Sequence, residues 1–549
     1  MGDDVFLLFS YFSLVLNFNL FIISSVKPTY FGKGGQDYDK FFDYVDSYLK
    51  TYGMTENGAV GYRSTGNDLV DILFRTSSYR NDGALLIKDI TTTLSHQNED
   101  LLKLIFYVRD IRNGLGERKF FRFALGCIFS DASNVKNKDE LFIKILPLIP
   151  EFGRYDDLFI FFDSRYEESL IKFIKNQLDK DIDDMKNKKE ISLLAKWLPS
   201  VNSSSKASKY LATKLIKAFG MNQKEYRKLL SSLRTYLKVI EKNMCANGWH
   251  RIDYNKVPSN ANRIYKDAFM LHDPKRRQRY LADLENNAKN VKMNSSVNFP
   301  HDVLHLYKNA IFNGLMPDEK CKDAAVEQLW KNLKQVKGLD DTIVVRDDSG
   351  SMYATYNIKN GIMPYEIATA LAIYCAEHLN EPFKNKIITF SSTPRYLVCD
   401  QNSLYSKYAY LFEHSEIGTT NIQGVFDLIL GTALEFNLKQ EELPKNILII
   451  SDMEFNQASG FNHNKTTFDF IKYVYKEHGY LLPRLIFWNV ASRTNIIPVL
   501  ENENGIILIS GYSQNILTLF NEGDVKDVYK IVEKIINDEK YINVPKLEF

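Results

Sequence analysis

Asp347, Ser349 and Ser351 stand at alternate positions in the run Arg346-Asp-Asp-Ser-Gly-Ser-Met352. One carboxylate and two hydroxyls make an all-oxygen donor set, which suits Mg²⁺ or Mn²⁺ rather than zinc. The β-branched stretch just before them, 342–345, predicts a buried parallel strand. Ligands of open parallel sheets gather beyond the carboxyl ends of the strands, and the acid and both serines fall at such an end. Gly350 is expected to let the backbone turn between the two serines. The competing reading is structural: Asp347 caps the next helix and the hydroxyls bond backbone amides.

This Asp-x-Ser-x-Ser pattern resembles the metal-ion-dependent adhesion site of von Willebrand factor A domains. The resemblance implies two more ligands far along the chain, a Thr after a glycine turn and an Asp after a strand. Gly418-Thr-Thr-Asn421 precedes a helical run at 422–436, so Thr420 fills the first place, with Thr419 as its rival. Asn446-Ile-Leu-Ile-Ile-Ser-Asp452 offers Asp452 for the second. Such a shell leaves a coordination position for an acidic group on a protein partner.

Catalysis finds little support. Phosphatases of another α/β class need Asp-x-Asp, and Ser349 stands where the second acid would be. No Ser-His-Asp or Cys-His arrangement, HExxH, paired CxxC or P-loop is legible, and His463 and His478 read as surface residues. The expectation is a binding protein, not an enzyme, with a metal-dependent hydrolase as a weaker rival.

The elements that must position these residues alternate. Strands are expected at 386–390, 396–399, 446–451, 484–490 and 505–511, and helices at 362–380, 422–436, 466–478 and 524–537. That order predicts a doubly wound, Rossmann-like α/β domain over 340–549. Upstream, apolar residues recur at helical spacing, with helices expected at 101–111, 140–148, 166–179, 208–219, 224–242 and 261–269. No fixed period is evident. The expected organisation is an N-terminal segment, 1–51, an all-α repeat-like domain, 52–339, and the α/β domain, 340–549.

Several phrases carry a second resemblance: Thr55-Glu-Asn-Gly-Ala59, Thr65-Gly-Asn-Asp-Leu-Val-Asp71, Asp110-Ile-Arg-Asn-Gly-Leu-Gly-Glu-Arg118, Gly153-Arg-Tyr-Asp-Asp157, Lys196-Trp-Leu-Pro-Ser200 and Trp249-His-Arg-Ile-Asp-Tyr254. Together they resemble an uncharacterised family of plants, fungi and large DNA viruses that joins a helical region to a von Willebrand A domain. Its layout is similar to the Ro autoantigen and other TROVE proteins, in which a ring of HEAT-like helical repeats binds RNA. The resemblance implies an RNA partner.

Charge bears on that implication. Residues 1–339 carry 52 Lys and Arg against 41 Asp and Glu, or +11, whereas 340–549 carry 18 against 27, or −9. Residues 186–300 hold 24 basic and 8 acidic side chains, with tyrosines interspersed, the composition of a single-stranded nucleic-acid surface. Lys206, Lys209, Arg227, Lys228, Lys275, Arg276, Arg277 and Arg279 are the candidate contacts. The alternatives are a solvated lysine face, docking onto the acidic C-terminal region, or a protein-interaction scaffold that works through the metal site alone.

Other motifs call for structural readings. Asp110, Arg112, Glu117 and Arg118 are expected to form ion pairs around a turn at Gly114 and Gly116, Arg154, Asp156 and Asp157 to cap a helix, and Trp488 to lie in the core. Residues 5–26 are uncharged and long enough to cross a bilayer. Asp3 and Asp4 before them and Lys27 and Lys33 after them would leave the body cytosolic. A buried helix and an upstream start codon are the alternatives. Five scattered cysteines, none at zinc spacing, fit a reducing, cytoplasmic setting.

Overall fold

The structure, a computed structural model, describes residues 47 and 50–549 apart from 314–321, 337–339, 355–360, 391, 457–466, 499–504 and 521–527. It is a helical N-terminal region followed by a mixed, largely parallel sheet. A short antiparallel hairpin comes first, β1 (Tyr52–Met54) against β2 (Val60–Tyr62). Four helices follow: α1 (Asp68–Phe74), α2 (Gly83–Ser95), α3 (Leu101–Arg109) and α4 (Arg118–Ile128). α1 opens on Asn67, whose side chain accepts from the amides of Leu69 and Val70, satisfying donors that a helix start otherwise leaves bare.

The packing does not divide at residue 339. Residues 137–248 form one compact unit, and residues 48–136 pack with 249–549 as the other. The first unit contains α5 (Glu167–Lys186), α6 (Lys206–Ala218) and α7 (Gln223–Tyr236). Each buries one stripe, Leu170, Ile174 and Leu178 on α5 and Tyr226, Leu230 and Leu233 on α7, as a 3.6-residue period requires. α7 starts with a reciprocal cap between Asn222 and Glu225. It stops at Tyr236, so the helix expected over 224–242 is two helices, with Lys238 at positive φ between them.

In the second unit α8 (Pro274–Glu285) is followed by the sheet: β3 (Thr342–Asp347), α9 (Pro364–His378), β4 (Lys386–Phe390), β5 (Arg395–Val398), α10 (Leu404–Glu413), α11 (Ile422–Glu435), β6 (Asn446–Ser451), α12 (Thr467–Glu477), β7 (Arg484–Asn489), β8 (Ile506–Ser510) and α13 (Val528–Asn537). The strand order is β5-β4-β3-β6-β7-β8, with β5 antiparallel at one edge and the other five parallel. β3 and β6 are buried along their whole length, as strands covered on both faces must be. The chain leaves β3 toward β4 on one side and later returns to β6 on the other. The carboxyl end of β3 is therefore the topological switch point, where a crevice opens in such sheets.

The N-terminal helices belong to this unit because they cover the sheet. α1 packs on β8 and α13, and α3 also packs on α13. The Asn489 amide donates to the Phe74 carbonyl (2.9 Å), and the Ser77 N–H donates to Ser510 Oγ (2.9 Å). A parallel sheet left bare on that side would expose apolar strand surface. The chain covers it with helices that precede the sheet by hundreds of residues.

The membrane-anchor expectation is corrected. Among the described residues no helix is long and apolar enough to cross a membrane, and residues 5–26 lie outside the described residues.

Candidate functional site

Asp347 ends β3 with no exposure, and Ser349 and Asp452 are each 1% exposed. Asp347 Oδ1 accepts from the Ser349 N–H (2.8 Å) and Oδ2 from the Ser451 hydroxyl (2.6 Å). Ser451 closes β6, the strand beside β3, so the pairing of these two strands delivers it to Asp347. Ser349 Oγ and Ser351 Oγ are 3.1 Å apart, and Ser351 in turn hydrogen-bonds Asp452. Thr420 joins through its loop. The Gly350 N–H donates to the Gly418 carbonyl (2.9 Å), and the Thr420 carbonyl accepts from Asn456 N–H (2.9 Å) just past Asp452. The structure thus draws Asp347, Ser349, Ser351, Thr420 and Asp452 to one end of the sheet. Thr420 is buried, whereas its rival Thr419 is exposed.

Gly350 plays a different part from the one expected. Its φ is not left-handed, and an added Cβ would meet Ile417 and the Gly418 carbonyl at an ordinary 3.6 and 3.7 Å. Its contribution is the amide that holds Gly418.

The two acids resist ionisation. Burial pushes the Asp347 carboxyl up to about 6, against hydrogen bonds from Ser349 and Ser451. Burial first, and then repulsion from Asp347, pushes Asp452 up to about 7. Two buried carboxyls that are costly to charge together, next to three hydroxyls, have the chemistry of a hard-cation site: a divalent ion would neutralise what burial penalises. The donor set therefore fits Mg²⁺ or Mn²⁺. Among the described residues no group of three or more His, Cys, Asp or Glu side chains could hold a metal. The present set has two acids and relies on hydroxyls for the rest.

Sequence reasoning missed the residues around this set. Glu454 has no exposure and gathers five donors on its carboxylate: the amides of Glu56 (3.0 Å), Arg493 (2.9 Å) and Thr494 (2.9 Å), and the hydroxyls of Thr494 (2.9 Å) and Ser492 (3.4 Å). It fixes the loop after β7 so that Arg493 Nη2 reaches Asp452 Oδ2 (3.3 Å) and Glu56 Oε2 (2.8 Å). Asn57 Nδ2 donates to the Glu454 carbonyl (2.6 Å) and to Thr420 Oγ1 (3.2 Å). Glu454 sits at alternate spacing after Asp452, the one signal that could have found it. Glu56 and Asn57 lie in a phrase that stands out only for its resemblance.

Behind the site, Arg346 occupies a wholly buried strand. Its guanidinium pairs with Asp348 (2.5 Å), lies over the Tyr365 ring and donates to Thr369 Oγ1 (3.0 Å) and Ser415 Oγ (3.0 Å). Pairing and hydrogen bonds of this kind offset the cost of burying the charge.

The basic candidates separate into two groups in different compact units. Lys206 and Lys209 on α6 and Arg227 and Lys228 on α7 are exposed, as are Lys275 and Arg279 on α8. Arg276 is tied down, donating to the carbonyls of Trp249 (3.2 Å) and Ile252 (2.7 Å) and pairing with Asp273 (2.9 Å). Arg277 is a correction. It has no exposure and is enclosed by the rings of Tyr254, Phe269 and Tyr280 at 5.0–5.3 Å. On α8 it faces inward while Lys275 and Arg279 face out, as helical periodicity dictates for positions two apart. It cannot touch a nucleic acid.

Comparison with known proteins adds the following. Residues 168–341 match a family described as a domain of unknown function (DUF2828), and residues 341–546 match another so described (DUF7788). The two matches meet one residue before β3. An uncharacterized protein, L728, of Acanthamoeba polyphaga mimivirus is 28% identical over 523 residues, covering 85% of this chain and 84% of the relative. Among solved structures, the Ro (RSR) protein of Deinococcus radiodurans aligns with a TM-score of 0.38 at 14% identity, over 84% of this chain and 94% of that one.

Proposed function

We propose that the protein is a non-enzymatic binding protein whose sheet is a von Willebrand A-type domain that holds Mg²⁺ or Mn²⁺ and receives an acidic group of a protein ligand. The carrying observation is the meeting of Asp347, Ser349, Ser351, Thr420 and Asp452, from three separate stretches, at the switch point of the sheet. These residues would hold the ion, directly or through water. Bound there, the ion supplies a positive charge that attracts a carboxylate. Asp347 and Ser451 set the ligand geometry from adjacent strands, and Glu454 orients Arg493 against Asp452. Calorimetric titration with Mn²⁺ tests this. Binding that vanishes in Asp347→Asn supports it, and equal affinity in both proteins rejects the ligand assignment. Turnover of generic phosphate esters would favour the hydrolase reading instead.

A second reading adds RNA, and one observation favours it. Between 186 and 248 the chain carries 14 Lys and Arg against 3 Asp and Glu. Lys206, Lys209, Arg227 and Lys228 are exposed there, with Tyr210 and Tyr236 each 37% exposed. Cations flanked by partly bare rings suit unpaired nucleotides. The full chain should bind short single-stranded RNA with steep salt dependence. No binding at low salt removes the RNA role and leaves a protein-interaction scaffold that acts through the metal face alone.

A further inference from the structure

The tip of the β1–β2 hairpin lies against the proposed metal face, and nothing in the metal-site pattern requires it there. Three observations place it. Asn57 donates to Thr420 Oγ1, the hydroxyl assigned to the ion. Glu56 shares one guanidinium nitrogen of Arg493 with Asp452, at 2.8 and 3.3 Å. The tip is also anchored by main-chain and hydroxyl bonds: Thr55 Oγ1 donates to the Phe455 carbonyl (2.6 Å), and Tyr62 and Ile497 exchange N–H···O bonds of 2.7 and 2.8 Å. The fit is close. A Cβ on Gly61 would lie 2.7 Å from the Ile497 carbonyl and 2.6 Å from Ile496 Cγ2, and one on Gly53 2.3 Å from Ile496 Cδ1. Both glycines are there for contact, since neither has a positive φ.

We propose that this tip is a tethered ligand of the metal face, with Glu56 as the resident carboxylate that an external acidic group must displace. The inference rests on the metal-site reading above. The chemistry is that of competition. Glu56 is about half exposed, 49% at its side chain, and its charge is balanced by Arg493, which also balances Asp452. An ion that takes over Asp452 leaves Arg493 to Glu56 and offers the same carboxylate a second cation. An external carboxylate then meets a face already supplied with one. A tethered competitor acts at high effective concentration, so it sets a threshold that only a tight or multivalent acidic partner exceeds. Asn57 marks the register, because its amide bridges Thr420 to the Glu454 carbonyl beside Asp452.

The test uses the full chain and its Glu56→Gln variant, with Asp347→Asn as reference. Mn²⁺ affinity is measured first by calorimetry, and then the affinity of each Mn²⁺-loaded protein for a short glutamate-containing peptide. A tethered ligand gives changes of opposite sign: Mn²⁺ binds about 3-fold more weakly to Glu56→Gln, and the peptide about 10-fold more tightly. Glu56→Asp keeps Mn²⁺ affinity closer to the parent. Gly61→Ala, which pushes the hairpin off Ile497 and leaves Glu56 intact, should repeat the peptide gain. If Glu56→Gln leaves both affinities unchanged, or moves them the same way, the tip is a structural clasp and the inference falls while the metal site stands. If the parent takes up no Mn²⁺, or Asp347→Asn takes up as much, both fall together.

Discussion

The end of the sheet and the basic helices both stand out by residue type, but folding treats them oppositely. At the sheet, charges are driven inward. Asp347, Asp452 and Glu454 are at most 1% exposed, and the position of each is dictated by a strand end or a chain of hydrogen bonds. At Lys206, Lys209, Arg227 and Lys228 on α6 and α7 the charges stay in water, and their positions answer only to the helical stripe they leave free. Burial of an ionisable group is costly unless something is gained, so the first set invites a chemical explanation. Exposed lysines cost nothing to keep and tell less. A spacing motif gains force when the fold brings its members together against that cost.

The largest effects should come from breaking the buried set. Asp347→Asn or Asp452→Asn should lower Mn²⁺ affinity by about 100-fold or more, at the upper end of what loss of a supporting group costs, and leave RNA affinity unchanged. Loss of RNA binding in the same variants would mean that the two regions are coupled rather than separate.

Arg277 sharpens the contrast, since it counts as basic in the sequence and as core in the structure. Arg277→Ala should destabilise by about 2–4 kcal/mol through lost ring contacts and a cavity, measured by urea denaturation. RNA affinity of the folded fraction should not change. Arg277→Met, closer in volume, should cost less. A change in RNA binding without a change in stability would return Arg277 to the surface.

Next in size is the exposed set. Charge reversal at Lys206, Lys209, Arg227 and Lys228 should weaken single-stranded RNA binding by about 10-fold or more and flatten its salt dependence, roughly 0.7 in slope per lost phosphate contact. Reversal at Lys275 and Arg279 should do less, because Arg279 lies beside Asp283 (4.0 Å). The reverse ranking, read from filter-binding curves at several salt concentrations, would move the RNA surface to α8.

Much of the sheet was legible because its strands are short apolar runs between helical stretches. The strand at 386–390 agrees to the residue, and those at 446–451, 484–490 and 505–511 to within one at each end. Trp488 is core as expected, its indole donating to the Gly511 carbonyl. Glu117 does form an ion pair, with Arg80 (2.6 Å), and Gly114 is required because a Cβ would strike the Tyr107 carbonyl. Other features were hidden for physical reasons. α10 is short and lies between stronger strand and helix signals. The β1–β2 strands have three residues each, too few to show a period. Glu454, Arg493 and Asn57 act through bonds across about 40 to 400 positions of sequence, which no local spacing reveals. Arg277 failed for the opposite reason: a cluster of arginines says nothing about which of them faces in.

A pH slope should also come from the buried acids at the end of the sheet. In the metal-free protein Asp347 and Asp452 hold their protons up to about 6 and about 7, against an ordinary value of 3.8. Asp348, also buried, is raised to about 6 in spite of Arg346. Between pH 4 and 7 these three groups hold more protons in the folded chain than in the unfolded one, and their contribution to stability falls as pH rises through that window. The contribution is fully present below the unfolded value and is lost above the folded ones. A divalent ion binds the ionised form, so Mg²⁺ should stabilise little at pH 5 and progressively more toward pH 8. Asp452→Asn cannot titrate and should flatten the metal-free slope, since the raised proton affinity of the folded chain is what produces it. Reversal of Lys206, Lys209, Arg227 and Lys228 should leave the slope untouched, because those side chains are exposed and far in sequence from the buried acids. Thermal midpoints from pH 5 to 8, with chelator and with Mg²⁺, provide the measurement. A slope that is the same in Asp452→Asn as in the parent, or Mg²⁺ stabilisation that does not grow with pH, would mean that the buried acids are not the groups that pair with an ion.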